Sequence, residues 1–293
     1  ELFSMKSFPE KKSLIKLRNG NRIGYAIYGN KKNFPIFYFH GWPGSRFELK
    51  NIPLKKRKCY LIALERPGYG ISDPIPKFKI LDWPKIILEV ANKLKIKKFS
   101  IIGVSGGAPF ALACANTIKN KRLKSIAIVC ALAPSKAKGM NKGRVGMLLN
   151  LGRKPFISWL IFNFLRVRLL NGNLEKSFNK WKNKISLPEI DLKLFTIDRG
   201  KRLMENFKEA VKHGTKGVHR DANLYSNYWG FKLKNIKKKI FVWHGDKDLT
   251  VPIITNKYYK KKLKNKEIFI KPNEGHFSIC YNFMNDIIQQ VSE

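Results

Sequence analysis

The sequence predicts an α/β fold: a mainly parallel central sheet with helices on both faces, interrupted by an inserted helical segment. Three observations carry this. Short runs such as 35–39 and 60–64 are apolar throughout, as strands covered on both faces must be. They alternate with segments of helical spacing, the order that builds parallel sheets. The alternation stops after Pro134 and resumes near Lys239, with helix-like sequence between.

The elements follow in order. Residues 14–17 and 23–28 flank Arg18-Asn19-Gly20-Asn21-Arg22, and Asn-Gly between two β-prone runs predicts a hairpin. Residues 35–39 form a strand ending in His40-Gly41-Trp42-Pro43-Gly44-Ser45. Residues 60–64 form another, ending in the Pro/Gly-punctuated stretch Glu65 to Pro74, which reads as an ordered loop. In 83–94, Trp83, Ile86, Ile87, Val90, Ala91 and Leu94 recur at helical spacing. A strand at 99–102, a helix at 108–117 and a strand at 125–130 follow. Residues 155–170 are rich in aromatic and aliphatic side chains but too short and interrupted to span a bilayer. They read as core of the inserted segment or as an apolar lid over a pocket. Strands at 239–244 and 267–270 and a closing helix at 279–291 complete the pattern, with no internal repeats. The expected divisions are a first core part at 1–134, a helical cap at 135–222 and a second core part at 223–293.

The chemistry concentrates at one turn. The apolar run before Gly103-Val104-Ser105-Gly106-Gly107 breaks abruptly, and a helix begins at once. Gly103 and Gly107 flank Ser105 at the G-x-S-x-G spacing of a nucleophile elbow. A strand reversing into a helix leaves no room for Cβ atoms, and the serine takes a strained backbone conformation. The helix N-terminus then offers free N–H groups to a developing negative charge. Ligands in such sheets bind beyond the carboxyl ends of the strands. His40, Glu65 and Ser105 each follow a strand end and are expected on one rim.

Composition bounds the partners. The 293 residues and 44% hydrophobic content suffice for a full core. Lys and Arg number 59 against 20 acids, a formal charge of +39. That balance raises nucleic acid and anionic membranes as partners. The lysines are spread through nearly every loop and accompany no zinc-finger or RNA-binding signature, which argues against nucleic acid. A peripheral contact with an anionic membrane stays open, as does the oligomeric state. The four cysteines, Cys59, Cys114, Cys130 and Cys280, are far apart and read as buried free thiols, not as a disulfide framework or metal site. With no signal-peptide pattern visible, a reducing, cytoplasmic setting is expected.

Ser105, Asp248 and His276 all fall in loops after strands, in that chain order. A serine hydroxyl is a poor nucleophile at neutral pH. A nearby histidine can take its proton, and a buried carboxylate can fix the histidine tautomer. The order Ser…Asp…His, with His40-Gly41-Trp42-Pro43-Gly44-Ser45 and Arg66-Pro67-Gly68-Tyr69-Gly70-Ile71-Ser72-Asp73-Pro74, resembles the α/β-hydrolase superfamily. It resembles more closely the capped esterase and proline-iminopeptidase-like branch.

The resemblance implies an α/β-hydrolase fold with an inserted helical cap, and a serine hydrolase acting on a small-molecule ester or amide without metal or cofactor. It implies oxyanion-hole N–H groups from Trp42 and Gly106. It selects Asp248 over Asp246 as the triad acid, because Gly245-x-x-Asp248-x-x-Val251-Pro252 matches the family pattern. His276 is the implied base, His40 a loop organiser and His244 a buried structural histidine; His213 and His219 receive no role. The expected substrate pocket takes His40, Gly41, Trp42, Val104, Trp159 and Phe277. Relatives usually carry Asp where this chain has Glu65. An aminopeptidase would need inserted-segment acids for a substrate amine, and Glu205, Glu209 and Asp221 are the candidates. A ligand-binding receptor on the same scaffold is the non-catalytic alternative.

Overall fold

In the computed structural model, which describes residues 13–293, the Asn19-Gly20 turn joins β1 (Ser13–Lys16) to β2 (Arg22–Gly29) as an antiparallel pair. Gly20 sits at φ +87°, a left-handed conformation open to glycine. β2 pairs antiparallel with β4 (Tyr60–Leu64). From there the sheet is parallel. β3 (Pro35–Phe39) lies between β4 and β5 (Phe99–Val104), followed by β6 (Leu123–Val129), β7 (Ile240–Gly245) and β8 (Lys266–Lys271). The order across the eight strands is β1-β2-β4-β3-β5-β6-β7-β8.

Because successive side chains leave a strand on opposite faces, β3 feeds two cores. Phe37 and Phe39 pack in one layer with Ile101, Trp83 and Phe110. Ile36 and Tyr38 pack in the other with Leu61, Ile102 and Met284. The first layer is covered by α1 (Trp83–Lys93) and α2 (Ala108–Thr117), the second by α10 (Ser278–Ser292). Every residue of α2 from Ala108 to Ala115 is buried, so its apolar character runs all round. α9 (Thr255–Lys262) lies between β7 and β8 in the chain.

Between β6 and β7, six helices occur among the described residues: α3 (Gly143–Gly152), α4 (Pro155–Asn171), α5 (Leu174–Lys184), α6 (Glu189–Leu194), α7 (Ile197–Ala210) and α8 (Lys216–Ser226). They carry two small apolar clusters, one joining Phe162 and Val218 to Tyr69 in the loop after β4, the other around Phe178, Phe195 and Leu203. Among the described residues, no helix is long and apolar enough to cross a membrane.

The parallel run puts the carboxyl ends of β3 to β8 on one edge. His40, Glu65, Ser105 and Cys130 follow β3, β4, β5 and β6 directly, and Asp248 and His276 lie in the loops after β7 and β8.

Candidate active site

β5 ends at Val104, Ser105 adopts φ +50°, and a short 3-10 turn leads straight into α2. A positive φ at a non-glycine residue is strained and persists only where its surroundings impose it. Here they do. A Cβ on Gly107 would lie 2.2 Å from the Phe39 carbonyl oxygen, and one on Gly103 would lie 2.8 Å from the Ala111 side chain. The glycines let the turn close against β3 and α2. A Cβ on Gly106 would lie 2.6 Å from Trp42 Cβ and 3.3 Å from Trp42 N, so the two loops expected to supply oxyanion donors meet beside Ser105.

Asp248 is buried, and its two oxygens face four N–H groups. Oδ1 accepts from Thr250 N and Val251 N, both at 2.8 Å. Oδ2 accepts from His276 Nδ1 at 2.8 Å and stands 3.3 Å from His244 Nε2. Burial alone would raise this carboxyl, but the His276 charge and the two histidine hydrogen bonds outweigh it and hold Asp248 well below the carboxylate range. An ionised Asp248 only accepts, so the His276 proton sits on Nδ1 and Nε2 is left with a free lone pair. Burial lowers the His276 pKa and Asp248 raises it; Asp248 prevails, and the value lies above the ordinary 6.5. His244 Nε2 also lies 2.9 Å from the Val251 carbonyl oxygen. This buried histidine therefore braces the Asp248 loop.

The turn bearing His276 is anchored from α6, which sequence reasoning missed. Asp191 is fully buried and accepts from the backbone N–H groups of His276 at 2.9 Å, Phe277 at 3.2 Å and Ser278 at 2.8 Å. Ser278 opens α10 and Phe277 is its N-cap residue, so a carboxylate from another element caps that helix. A Cβ on Gly275 would meet Asp191 oxygens at 2.4 Å, which accounts for the glycine before His276.

The loop after β3 is held by Arg66 and His40. Arg66 Nη1 and Nη2 donate to the carbonyl oxygens of His40 at 2.7 Å and Gly41 at 3.0 Å, while Nε donates to Asp221 Oδ2 on α8 at 2.7 Å. His40 Nδ1 lies 2.8 Å from the Gly41 oxygen, and the Arg66 N–H points at Nε2. One nitrogen donates and the other accepts, as a neutral imidazole requires. Burial first, and the Arg66 charge second, push the His40 pKa well down.

Ser105 and His276 line one cavity of about 800 Å³ between the sheet rim and the six helices. Gly41, Trp42, Val104 and Phe277 also line it, with Phe162, Trp181, Phe195, Leu203 and Phe207 opposite. Two expected pocket residues stand elsewhere. His40 is fully buried behind the wall, held by Gly41 and Arg66. Trp159 is 50% exposed on α4 and stacks on Phe156 instead. A residue the sequence did not single out, Glu48, enters the wall. It accepts from Tyr38 OH at 2.7 Å and from Gly41 N at 2.9 Å. Burial raises its carboxyl against those two hydrogen bonds. Among the described residues, Glu48 is the single acid lining the cavity, whereas Arg166, Arg168, Lys176, Lys180, Lys184 and Arg199 all line it.

All four cysteines are buried. Cys130, Asp248 and His276 bring donor atoms within 4.8 Å of one another. As a metal set they fit poorly: Nδ1 and Oδ2 are spent on each other, and burial holds Cys130 as a neutral thiol.

A family model described as "alpha/beta hydrolase fold" matches residues 35–283. The chain belongs to the alpha/beta hydrolase fold family. A Bacillus subtilis relative, "AB hydrolase superfamily protein YisY", is 25% identical over 88% of this chain and 91% of its own. A Mycoplasma genitalium protein named "Putative proline iminopeptidase" is 23% identical over 90% of this chain and 92% of its own. Among solved structures, an esterase from Exiguobacterium antarcticum superposes with a TM-score of 0.66 at 18% identity, covering 96% of this chain and 99% of that one. A thermophilic esterase from Thermogutta terrifontis gives 0.69 at 14% identity, over 97% of this chain and all of that one.

Within this alpha/beta hydrolase fold, Glu65 uses its extra methylene. Its carboxyl sits where Cβ atoms on Gly24 or Gly70 would collide with it, at 2.4 and 2.0 Å. From there it accepts from Ile71 N at 2.9 Å and from Arg46 Nη1 at 2.6 Å. Arg46 also donates to Glu209 Oε1 on α7 at 2.7 Å. Burial drives the Glu65 carboxyl up to about 7, with Arg46 opposing and Glu209 assisting. Of the three acids expected to face a substrate amine, Glu209 and Asp221 are thus committed to Arg46 and Arg66, and Glu205 is exposed, outside the cavity wall.

Proposed function

We propose that the chain is a serine hydrolase that cleaves carboxylic esters through an acyl-enzyme, with Ser105 as nucleophile, His276 as base and Asp248 as its orienting acid. The observation that carries this reading is the Asp248–His276 hydrogen bond at the edge of the cavity where the elbow presents Ser105 at positive φ. His276 Nε2 takes the Ser105 proton as Oγ attacks the ester carbonyl. The N–H groups of Trp42 and Gly106 receive the oxyanion, each such donor being worth about 10²–10³ in rate. His276 then returns the proton to the leaving alkoxide, and water releases the acyl group by the same route. Residues 135–222 act as a cap that excludes bulk water from the cavity and walls the acyl chain.

The cavity supports an apolar acyl group of medium length. Its volume of about 800 Å³ is at the upper end of small-molecule sites, and aromatic rings supply much of the inserted-segment wall. Each methylene taken from water contributes about 0.8 kcal/mol. An octanoyl ester is therefore expected to exceed the butanoyl ester in kcat/KM by up to ~200-fold. Ser105→Ala should cost at least about 10⁴ in p-nitrophenyl octanoate turnover and abolish fluorophosphonate labelling. Unchanged turnover in the pure variant would sink the assignment.

One observation favours an aminopeptidase as the second reading: Glu48 brings a carboxyl into the cavity wall beside Gly41. The Mycoplasma relative's name points the same way. The six cations in the same wall oppose a cationic substrate. Release of β-naphthylamine from proline β-naphthylamide, with no ester turnover, would decide for it.

A further inference from the structure

Helix α4 (Pro155–Asn171) turns a wide apolar face to water. Phe156 is 70% exposed, Phe164 60%, Val167 53% and Leu160 47%. These positions stand at i, i+4, i+8 and i+11, a single stripe along the helix. The opposite side is firmly seated. Ser158 is fully buried with its Oγ 2.8 Å from His219 Nδ1, and the Phe162 ring meets Trp42 edge-on at 5.9 Å. The outward stripe is thus a fixed surface of the folded chain, and continuous exposed apolar surface of this kind marks an interaction site.

Charge says what covers it. Between residues 153 and 184 there are eight Lys or Arg (153, 154, 166, 168, 176, 180, 182 and 184) and one acid, Glu175. Arg153 and Lys154 are exposed just before the helix, and Arg168 is exposed near its end. Two copies meeting through this stripe would bring their cationic flanks together, which opposes self-association. An anionic surface attracts them.

We propose that α4 is a membrane-docking helix, whose apolar stripe enters the interfacial layer of an anionic bilayer while the flanking Arg and Lys side chains engage lipid phosphates. The helix lies in the plane of the membrane. Its 17 residues reach about 26 Å, short of the ~30 Å hydrocarbon core, and one side of it stays on the protein. Apolar area on one side with cations at the flanks is the combination that holds an interfacial helix. Phe162, Leu165 and Leu169, on the inner edge of α4, line the cavity, so docking brings a cavity wall to headgroup level. The docking itself does not depend on the chemistry at Ser105.

The test is flotation of the whole protein with phosphatidylcholine vesicles, with and without about one-third phosphatidylglycerol. The protein should float with the anionic vesicles, much less with the neutral ones, and progressively less as salt rises. The triple variant Phe156→Ser, Leu160→Ser, Phe164→Ser should bind at least about tenfold more weakly, with circular dichroism and soluble-ester turnover unchanged. Vesicles should shift tryptophan emission to the blue in the native chain and much less in Trp159→Phe. Wild-type protein left unbound by anionic vesicles would overturn the proposal. So would a triple variant that floats as well as the native chain, since charge alone would then explain binding. A concentration-dependent dimer in sedimentation velocity, lost in the triple variant and without vesicle binding, would assign the stripe to a second copy instead.

Discussion

The sheet rim and the helical insertion contribute to one cavity by opposite means. The rim supplies Ser105, Asp248, His276 and the Trp42 loop from turns at strand ends. Each turn is fixed by backbone geometry: positive φ at Ser105, a close approach of Gly107 to Phe39, and four N–H groups around Asp248. The insertion supplies apolar walls, and it holds the rim through buried polar side chains. Asp191 reaches the His276 turn, Asn206 the Ser45 hydroxyl at 2.7 Å, Glu209 Arg46 and Asp221 Arg66. The rim therefore carries the groups proposed to react, and the insertion carries much of what keeps them in register.

The largest effect that would break this division lies on the rim. Asp248→Asn should lower kcat by about 10⁴, because the amide no longer enforces a proton on His276 Nδ1. The pH profile sharpens the point. In the proposed mechanism ester turnover needs neutral His276, and Asp248 holds its pKa above 6.5. The native acidic limb should therefore have its midpoint above pH 6.5. In Asp248→Asn burial acts on His276 against only the lesser charges of Asp191 and Glu48, so the residual activity should show a midpoint displaced to lower pH. A midpoint that stays put would mean that another group controls the limb.

Next is the bridge between Arg66 and Asp221. Both side chains are fully buried, and Asp221 also accepts from Tyr69 OH at 2.9 Å. Asp221→Ala leaves the guanidinium without its counter-ion in a dry site, a change that costs about 3–5 kcal/mol. Denaturant unfolding should show that loss in the midpoint. Arg66 also holds the carbonyl oxygens of His40 and Gly41, so kcat should fall with stability. Unchanged kcat at full loss of stability would show that the oxyanion loop does not depend on the insertion.

The two regions also differ in what their residues disclose before folding. Strand ends and the elbow were readable because steric demands restrict residue type locally: Gly103 and Gly107 around Ser105, Asn19-Gly20 in the hairpin, unbroken apolar runs in β3 and β4. The chain order of Ser105, Asp248 and His276, together with the parallel pattern, put all three on one edge. Asp191 gave no such signal. Its three partners lie about 85 residues away, and nothing near it in sequence distinguishes it from the exposed acids of the same segment. Glu48 was hidden although its partners Tyr38 and Gly41 are only ten and seven residues away, because no motif or spacing marks it. Trp159 was misplaced in the pocket because α4 is apolar on all sides, and composition cannot say which side faces the cavity. His244 was read as structural, and its position beside Asp248 needed coordinates.

The subtlest separation of the two roles uses one short helix. Asp191 and Glu189 share α6, two residues apart. Asp191 caps α10 across the cavity edge, and Asp191→Asn removes the charge and leaves one oxygen where two accepted three N–H groups. Losing a cap of this kind costs about 1–2 kcal/mol. It should also lower kcat by about tenfold, since a small displacement of the His276 turn is felt directly in proton transfer. The acidic limb should move to lower pH, because the Asp191 charge also raises the His276 pKa, but by less than in Asp248→Asn, because Asp248 is untouched. Among the described residues Glu189 pairs only with Lys193, at 2.7 Å, with both side chains more than 70% exposed. Glu189→Gln should therefore leave Tm and kcat within measurement error. If both variants lost activity alike, the effect would belong to α6 as a helix. If Asp191→Asn alone loses it, an insertion residue positions the base from outside the set of reacting groups.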